Sequence, residues 1–170
     1  MKLTDNFTLE ELIKSSTATK LNIDNNPTEE ITSNLLELST KILQPIRNVY
    51  GKPIVISSGY RCTKLNKAVG GVSTSQHVKG EAADIHTVSD TVQHNKELFK
   101  LIEKMVKDGK IIVGQLIDEY NYNWIHVSLP NSKHKNQILH IKWKNTNGMT
   151  CVWKIKFHMQ LQQLWYLVVS

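Results

Sequence analysis

A single domain mixing helices with short strands is what this chain predicts, and three patterns predict it. Two stretches, 26–51 and 95–108, repeat apolar residues every three or four positions, the helical period. β-Branched runs bounded by turn formers at 53–56, 82–86 and 124–128 read as strands. A length of 170 residues, 40% apolar and 21% charged, suits one packed core and is short for two.

Taken in order, Thr8 lies three residues before Glu11, a capping-box spacing that starts a short helix, and a polar segment follows. Asn26, Pro27, Thr28 and Glu29 then offer an N-cap, a proline at the first helical position and an acid in the first turn. Ile31, Leu35, Leu38, Ile42, Ile46 and Val49 form the apolar stripe of the helix, which Gly51 ends, and Pro45 within it predicts a kink or a split. The strand at 53–56 runs into Ser57, Ser58 and Gly59. Residues 62–76 read as a long polar connection broken by Gly70 and Gly71, the kind of loop on which function concentrates. In the strand at 82–86, Ala82, Asp84 and His86 share one face. A second amphipathic helix at 95–108 carries Leu98, Leu101, Ile102, Met105 and Val106 and stops at Gly109. Strands at 111–117 and 124–128 follow, with an edge strand at 138–143.

Charge separates the end of the chain from the rest. Residues 131–170 hold six lysines and no acidic residue, which leaves 15 basic and 15 acidic side chains before them and places the whole net charge of +6 beyond Pro130. We therefore expect a domain at 1–143 and an atypical basic tail at 144–170. The tail reads as a solvated lysine-bearing surface, and no nucleic-acid partner is expected. Cys62 and Cys151 form no disulfide framework. The start, Met1 to Asn6, lacks the apolar core of a secretion signal and no run is long enough to span a membrane, so synthesis in the cytoplasm is expected.

The chemistry concentrates at 57–85. His77 stands seven residues before Asp84, and His126 lies downstream in the run Trp124-Ile125-His126-Val127-Ser128. Two imidazoles and a carboxylate suit a catalytic zinc, because three protein ligands leave the fourth tetrahedral position for water. The competing reading is ordinary polar residues in a loop and a strand. Glu119, at the end of the strand Gly114 to Glu119, is the candidate for proton transfer, and a hairpin through Asn121 to Asn123 would bring it near the metal; Asp118 is the rival, turned the other way by alternation. Arg61 offers a guanidinium for a terminal carboxylate or an oxyanion. Ser75 could bind substrate or orient His77, and Trp124 could wall the pocket. His86, His94, His134, His140 and His158 receive no role.

Six segments resemble the zinc D-alanyl-D-alanine carboxypeptidase family, in particular its small phage-endolysin-like members. They are Asn6-Phe7-Thr8-Leu9-Glu10-Glu11-Leu12 with Leu43-Gln44-Pro45-Ile46-Arg47; Ser57-Ser58-Gly59-Tyr60-Arg61; Leu65-Asn66-Lys67-Ala68-Val69-Gly70-Gly71; Ser75-Gln76-His77 through Gly80-Glu81-Ala82-Ala83-Asp84; and the run around His126. The resemblance implies an α+β fold, a small antiparallel sheet flanked by helices. It implies Zn²⁺ on His77, Asp84 and His126, and hydrolysis of peptide bonds in peptidoglycan stem peptides by a monomer, with Glu119 activating water and Arg61 assisting. An endolysin-like member would act on the cell wall after release. Two features depart from the family: Asn123 occupies the position, three before the last histidine, where many relatives carry an acid, and the tail after Lys144 does not look like the family's ending. Asn123 keeps open a non-catalytic cell-wall or metal-binding module on the same scaffold.

Overall fold

The computed structural model describes residues 1–142 and the backbone of 152–156. Cys151, His158 and the tail from Lys144, save that backbone, lie outside the described residues. The elements are α1 (Leu9–Ile13), α2 (Ser16–Lys20), α3 (Glu29–Leu38), α4 (Gln44–Tyr50), β1 (Ile54–Ser58), α5 (Thr63–Ala68), β2 (Ala82–Thr87), α6 (Val92–Lys107), β3 (Gln115–Glu119), β4 (Trp124–Ser128), β5 (Gln137–Ile141) and β6 (Val152–Lys156). The strands form one sheet in the order β1-β2-β4-β3-β5-β6. Helices pack against it, so the class is α+β.

Local chemistry sets most boundaries. Thr8 and Glu11 make the reciprocal capping box that opens α1. The long helix begins at Glu29, because Thr28, extended at ψ 171, caps the Ile31 amide and leaves Pro27 outside the helix. Pro45 neither breaks nor sharply divides it: Ser39–Leu43 widens into a π-turn, and Pro45 sits in the first turn of α4, where its missing N–H costs no bond. The extra residue of that turn also rotates the face beyond it. Leu43 becomes fully buried and Tyr50 packs on the core, while Val49, a predicted stripe residue, is 50% exposed.

Other expectations shift. The connection at 62–76 contains α5, started by Cys62, and the polar segment before residue 26 contains α2, capped by Ser15. Neither helix carries a long apolar stripe; the two meet through the small cluster Ala18, Ile23 and Leu65. The second amphipathic helix starts at Val92 because Thr91 caps the His94 amide. The strand predicted at 111–117 is β3 at Gln115–Glu119, with Ile111 and Val113 buried ahead of it. The last predicted strand is interior, pairing parallel with β3 and antiparallel with β6, whereas every other neighbouring pair in the sheet is antiparallel.

One sheet face makes the core. Ala83, Ile85, Leu116, Ile125, Val127 and Ile138 share a buried cluster with Leu35, Leu38, Ile42 and Ile46 and with Leu98, Phe99 and Ile102 of α6. At roughly 1.5–3 kcal/mol for each large apolar side chain buried, this cluster dominates the stabilisation. The opposite face carries Asp84 and His126, a directly paired couple, with Ile117 opposite His126 on the next strand. A site on that face rests on a sheet whose other side is locked by packing.

Candidate metal centre and active site

Cross-strand pairing puts Asp84 and His126 side by side, and the third group arrives from a loop. His77 sits in a 3-10 turn over Gln76–Lys79 that Gly80 ends at φ 70. A side chain at Gly80 would press on the Ile31 carbonyl and the Leu35 side chain of α3, so only glycine lets that turn lie against the helix. His77 Nδ1 donates to the Gly59 carbonyl at 2.7 Å, which fixes the tautomer and presents Nε2 to the sheet.

Three candidate ligand atoms then converge. His77 Nε2 lies 3.3 Å from Asp84 Oδ1 and 3.3 Å from His126 Nδ1, and His126 Nδ1 lies 3.0 Å from Asp84 Oδ1. Ligands held tetrahedrally at ~2.0–2.1 Å from Zn²⁺ stand about 3.3 Å apart, so this triangle fits three corners of the tetrahedron and leaves the fourth open. All three residues are buried, and their donor atoms lie within 4.8 Å of one another, close enough to hold one metal ion. Burial alone would push the Asp84 carboxyl up; the charge of His77 and the hydrogen bonds from His126 and His77 outweigh it and hold Asp84 well below the usual carboxylate range.

Glu119 and Arg61 flank this triangle. Glu119 pairs with Trp124 across the hairpin, two positions along from the Ile117 and His126 pair, and so shares the face of the ligands. Burial raises the Glu119 carboxyl above its ordinary value and the Asp84 charge adds to the rise, while His126, Arg61 and a hydrogen bond from the Trp124 side chain pull it down without cancelling. Arg61 is half-buried; burial lowers its guanidinium, and the charges of Asp84 and Glu119 oppose that. Trp124 also meets Tyr120 edge to face at 5.1 Å. Ser75 precedes the 3-10 turn, half-buried, and its hydroxyl does not cap that turn.

The remaining candidates separate from the site. Asp118 points into the core, accepting from the Tyr122 amide at 2.6 Å and from His140 Nδ1 at 2.9 Å. Asn123 is exposed in the hairpin. His86 bonds the Thr87 carbonyl and Asp90, and His94 bonds Ser89 and Thr91.

Two asparagines unremarked in the sequence hold the scaffold. Asn95, 1% exposed, accepts from the Thr87 amide and hydroxyl and donates to the Tyr122 and Asn123 carbonyls, tying β2 to the hairpin beyond Glu119. Asn25 is bonded to the chain on both sides of Arg61. Both lie in polar runs, Asn25 between Asp24 and Asn26 and Asn95 between His94 and Lys96, so nothing local singles them out.

The Peptidase M15 family model matches residues 5–128, a span that contains all three candidate ligands, Arg61 and Glu119. Over 44 residues the chain is also 46% identical to the zinc D-Ala-D-Ala carboxypeptidase of Streptomyces albus G, a stretch that covers 25% of this chain and 17% of that protein.

Proposed function

This chain belongs to the Peptidase M15 family, and from that premise we propose that it is a zinc-dependent peptidase that hydrolyses peptide bonds of bacterial peptidoglycan stem peptides. The observation that carries the reading is the triangle of His77 Nε2, Asp84 Oδ1 and His126 Nδ1, with Glu119 on the same sheet face. Zn²⁺ held by these three residues supplies a Lewis acid for the scissile carbonyl and makes water nucleophilic near neutral pH.

This chain's residues do the rest. Glu119 accepts the proton of the attacking water as its oxygen bonds the carbonyl carbon, then hands that proton to the amine as the C–N bond breaks. Its raised proton affinity suits the second step. Arg61, half-desolvated, presents a fixed cation to the developing oxyanion or to the terminal carboxylate of a stem peptide. Ser75, at the rim beside His77, offers a hydroxyl to the substrate. The endolysin-like form of this activity, acting on the wall after release, is part of the proposal.

Purified murein and a peptide ending in D-Ala-D-Ala are the test substrates. Cleavage that a chelator abolishes and Zn²⁺ restores is expected, and mass analysis of the products distinguishes loss of a terminal D-Ala from an internal cut. His77→Ala should lose most of its zinc by elemental analysis, together with all measurable turnover. The exposed Asn123, at a position where many relatives carry an acid, favours the second reading of a non-catalytic wall-binding module. Zinc binding without turnover on either substrate would establish that reading instead.

A further inference from the structure

The loop that carries Arg61 has its backbone bonds accounted for almost group by group. The Gly59 carbonyl accepts from His77 Nδ1, the Tyr60 amide donates to the Leu12 carbonyl at 2.7 Å, and the Arg61 amide donates to the His77 carbonyl at 3.2 Å. The two groups on either side of Arg61 remain, and one side chain takes both. Asn25 Nδ2 donates to the Tyr60 carbonyl at 3.0 Å, and Asn25 Oδ1 accepts from the Cys62 amide at 2.8 Å. The same Nδ2 also donates to the Ile13 carbonyl at the end of α1, at 2.8 Å.

Only an amide meets that demand. Two carbonyls face one end of the side chain and an N–H faces the other, which fixes the orientation of the Asn25 amide and excludes a carboxylate or an apolar isostere. Asn25 is 9% exposed, and its segment is pinned to α5 through Ala18, Ile23 and Leu65, so the clamp is itself rigid. Gly59 completes it, because a Cβ there would collide with the Leu12 carbonyl. The N-terminal segment thus reaches the site through α1 and Asn25, more than 30 residues upstream of the loop it holds.

We infer that Asn25 is the positioning residue for Arg61, clamping the peptide groups on both sides of it so that its side chain leaves the backbone at a fixed point beside His77. This rests on the peptidase reading of Arg61. Misplacing a positioned group by about 1 Å costs up to ~100-fold in rate, so Asn25→Ala should lower kcat/KM on the order of ten- to a hundredfold with zinc content unchanged. In an Arg61→Ala background the same substitution should change kcat/KM less than about twofold, since a residue that acts through Arg61 has nothing left to position. Equal losses in both backgrounds would overturn the inference and leave Asn25 a merely structural residue. Should Asn25→Ala fail to fold, Asn25→Asp, which keeps the acceptor toward Cys62 and loses the donor, serves in the same cycle. A wild-type protein that cleaves nothing would sink the peptidase reading, and the Arg61 Nε–H resonance in a nitrogen-proton correlation spectrum then decides. We expect it resolved in wild type and shifted or broadened in Asn25→Ala; an unchanged resonance overturns the clamp.

Discussion

Asp118 and Glu119 are consecutive carboxylates of β3, and one step along the strand gives them opposite surroundings. Asp118 is 4% exposed, and each of its oxygens is engaged, one by the Tyr122 amide and one by His140, whose ring lies 5.2 Å from Phe99 in the core. Glu119 lies on the other face, half-buried, coupled to Asp84, His126 and Arg61. A carboxylate with both oxygens committed to core partners can hold a turn; one at the margin of a charged site can exchange a proton. Sheet alternation, more than residue type, decides which of the two is available for chemistry.

The largest break in this comparison is Glu119→Gln. The amide keeps the shape and removes the basic oxygen, so zinc should remain while kcat falls at least about a hundredfold, the usual scale for a general base. Elemental analysis and steady-state kinetics on the same preparation check both halves. Turnover within about threefold of wild type would remove Glu119 from the proton-transfer step.

Asp118→Asn should move the other quantity. It leaves the half-buried His140 Nδ1 and the Tyr122 amide with a weaker partner, at a cost of about 1–3 kcal/mol in unfolding free energy by urea titration. The hairpin at Tyr120, Asn121 and Tyr122 makes this costly, because all three have positive φ, at 53, 62 and 63, and the Asp118 bond to Tyr122 holds the turn closed. We expect kcat to stay within about fivefold, since Asp118 holds the turn at Tyr122, three residues beyond Glu119, and faces away from the ligands. A hundredfold loss in kcat at unchanged stability would reverse the roles of the two carboxylates.

Much of that contrast is legible in the amino-acid sequence alone. Period-two alternation put Asp84 on one face of β2, put Trp124 and His126 on one face of β4, and turned Asp118 away from Glu119, because a strand's side chains obey a rule that needs only its own sequence. What was not legible depends on partners distant in the chain. Nothing local says that β5 runs parallel to β3, and nothing local marks Asn25 or Asn95, which act by hydrogen-bonding backbone groups up to 37 and 28 residues away. The short helices α2 and α5 escaped for a related reason: each buries too few residues to repeat a pattern, and they are held by caps and by each other. The π-turn before Pro45 shifted the buried face by one residue, a correction that no fixed helical period contains.

The smallest effect tests the electrostatics of the site in the metal-free protein. Glu119 has a folded proton affinity above its ordinary value of 4.5, so folding favours its protonated form. The stabilisation it gives is complete below the unfolded value and is lost as pH rises through the raised folded value. Asp84 has the opposite sign: its lowered value gives stability that is present above its ordinary 3.8 and lost as pH falls. Glu119→Gln mimics the protonated form at every pH. In chelator-treated protein, urea unfolding should therefore show the variant gaining on wild type as pH rises from 4.5, until Glu119 is fully ionised, and holding a constant margin beyond. Because Asp84 is common to both proteins, its acid-side loss is largely shared and leaves the difference to Glu119. A difference that stays flat across that range would mean that Glu119 titrates as a solvated carboxylate, outside the field of Asp84, and would detach it from the site.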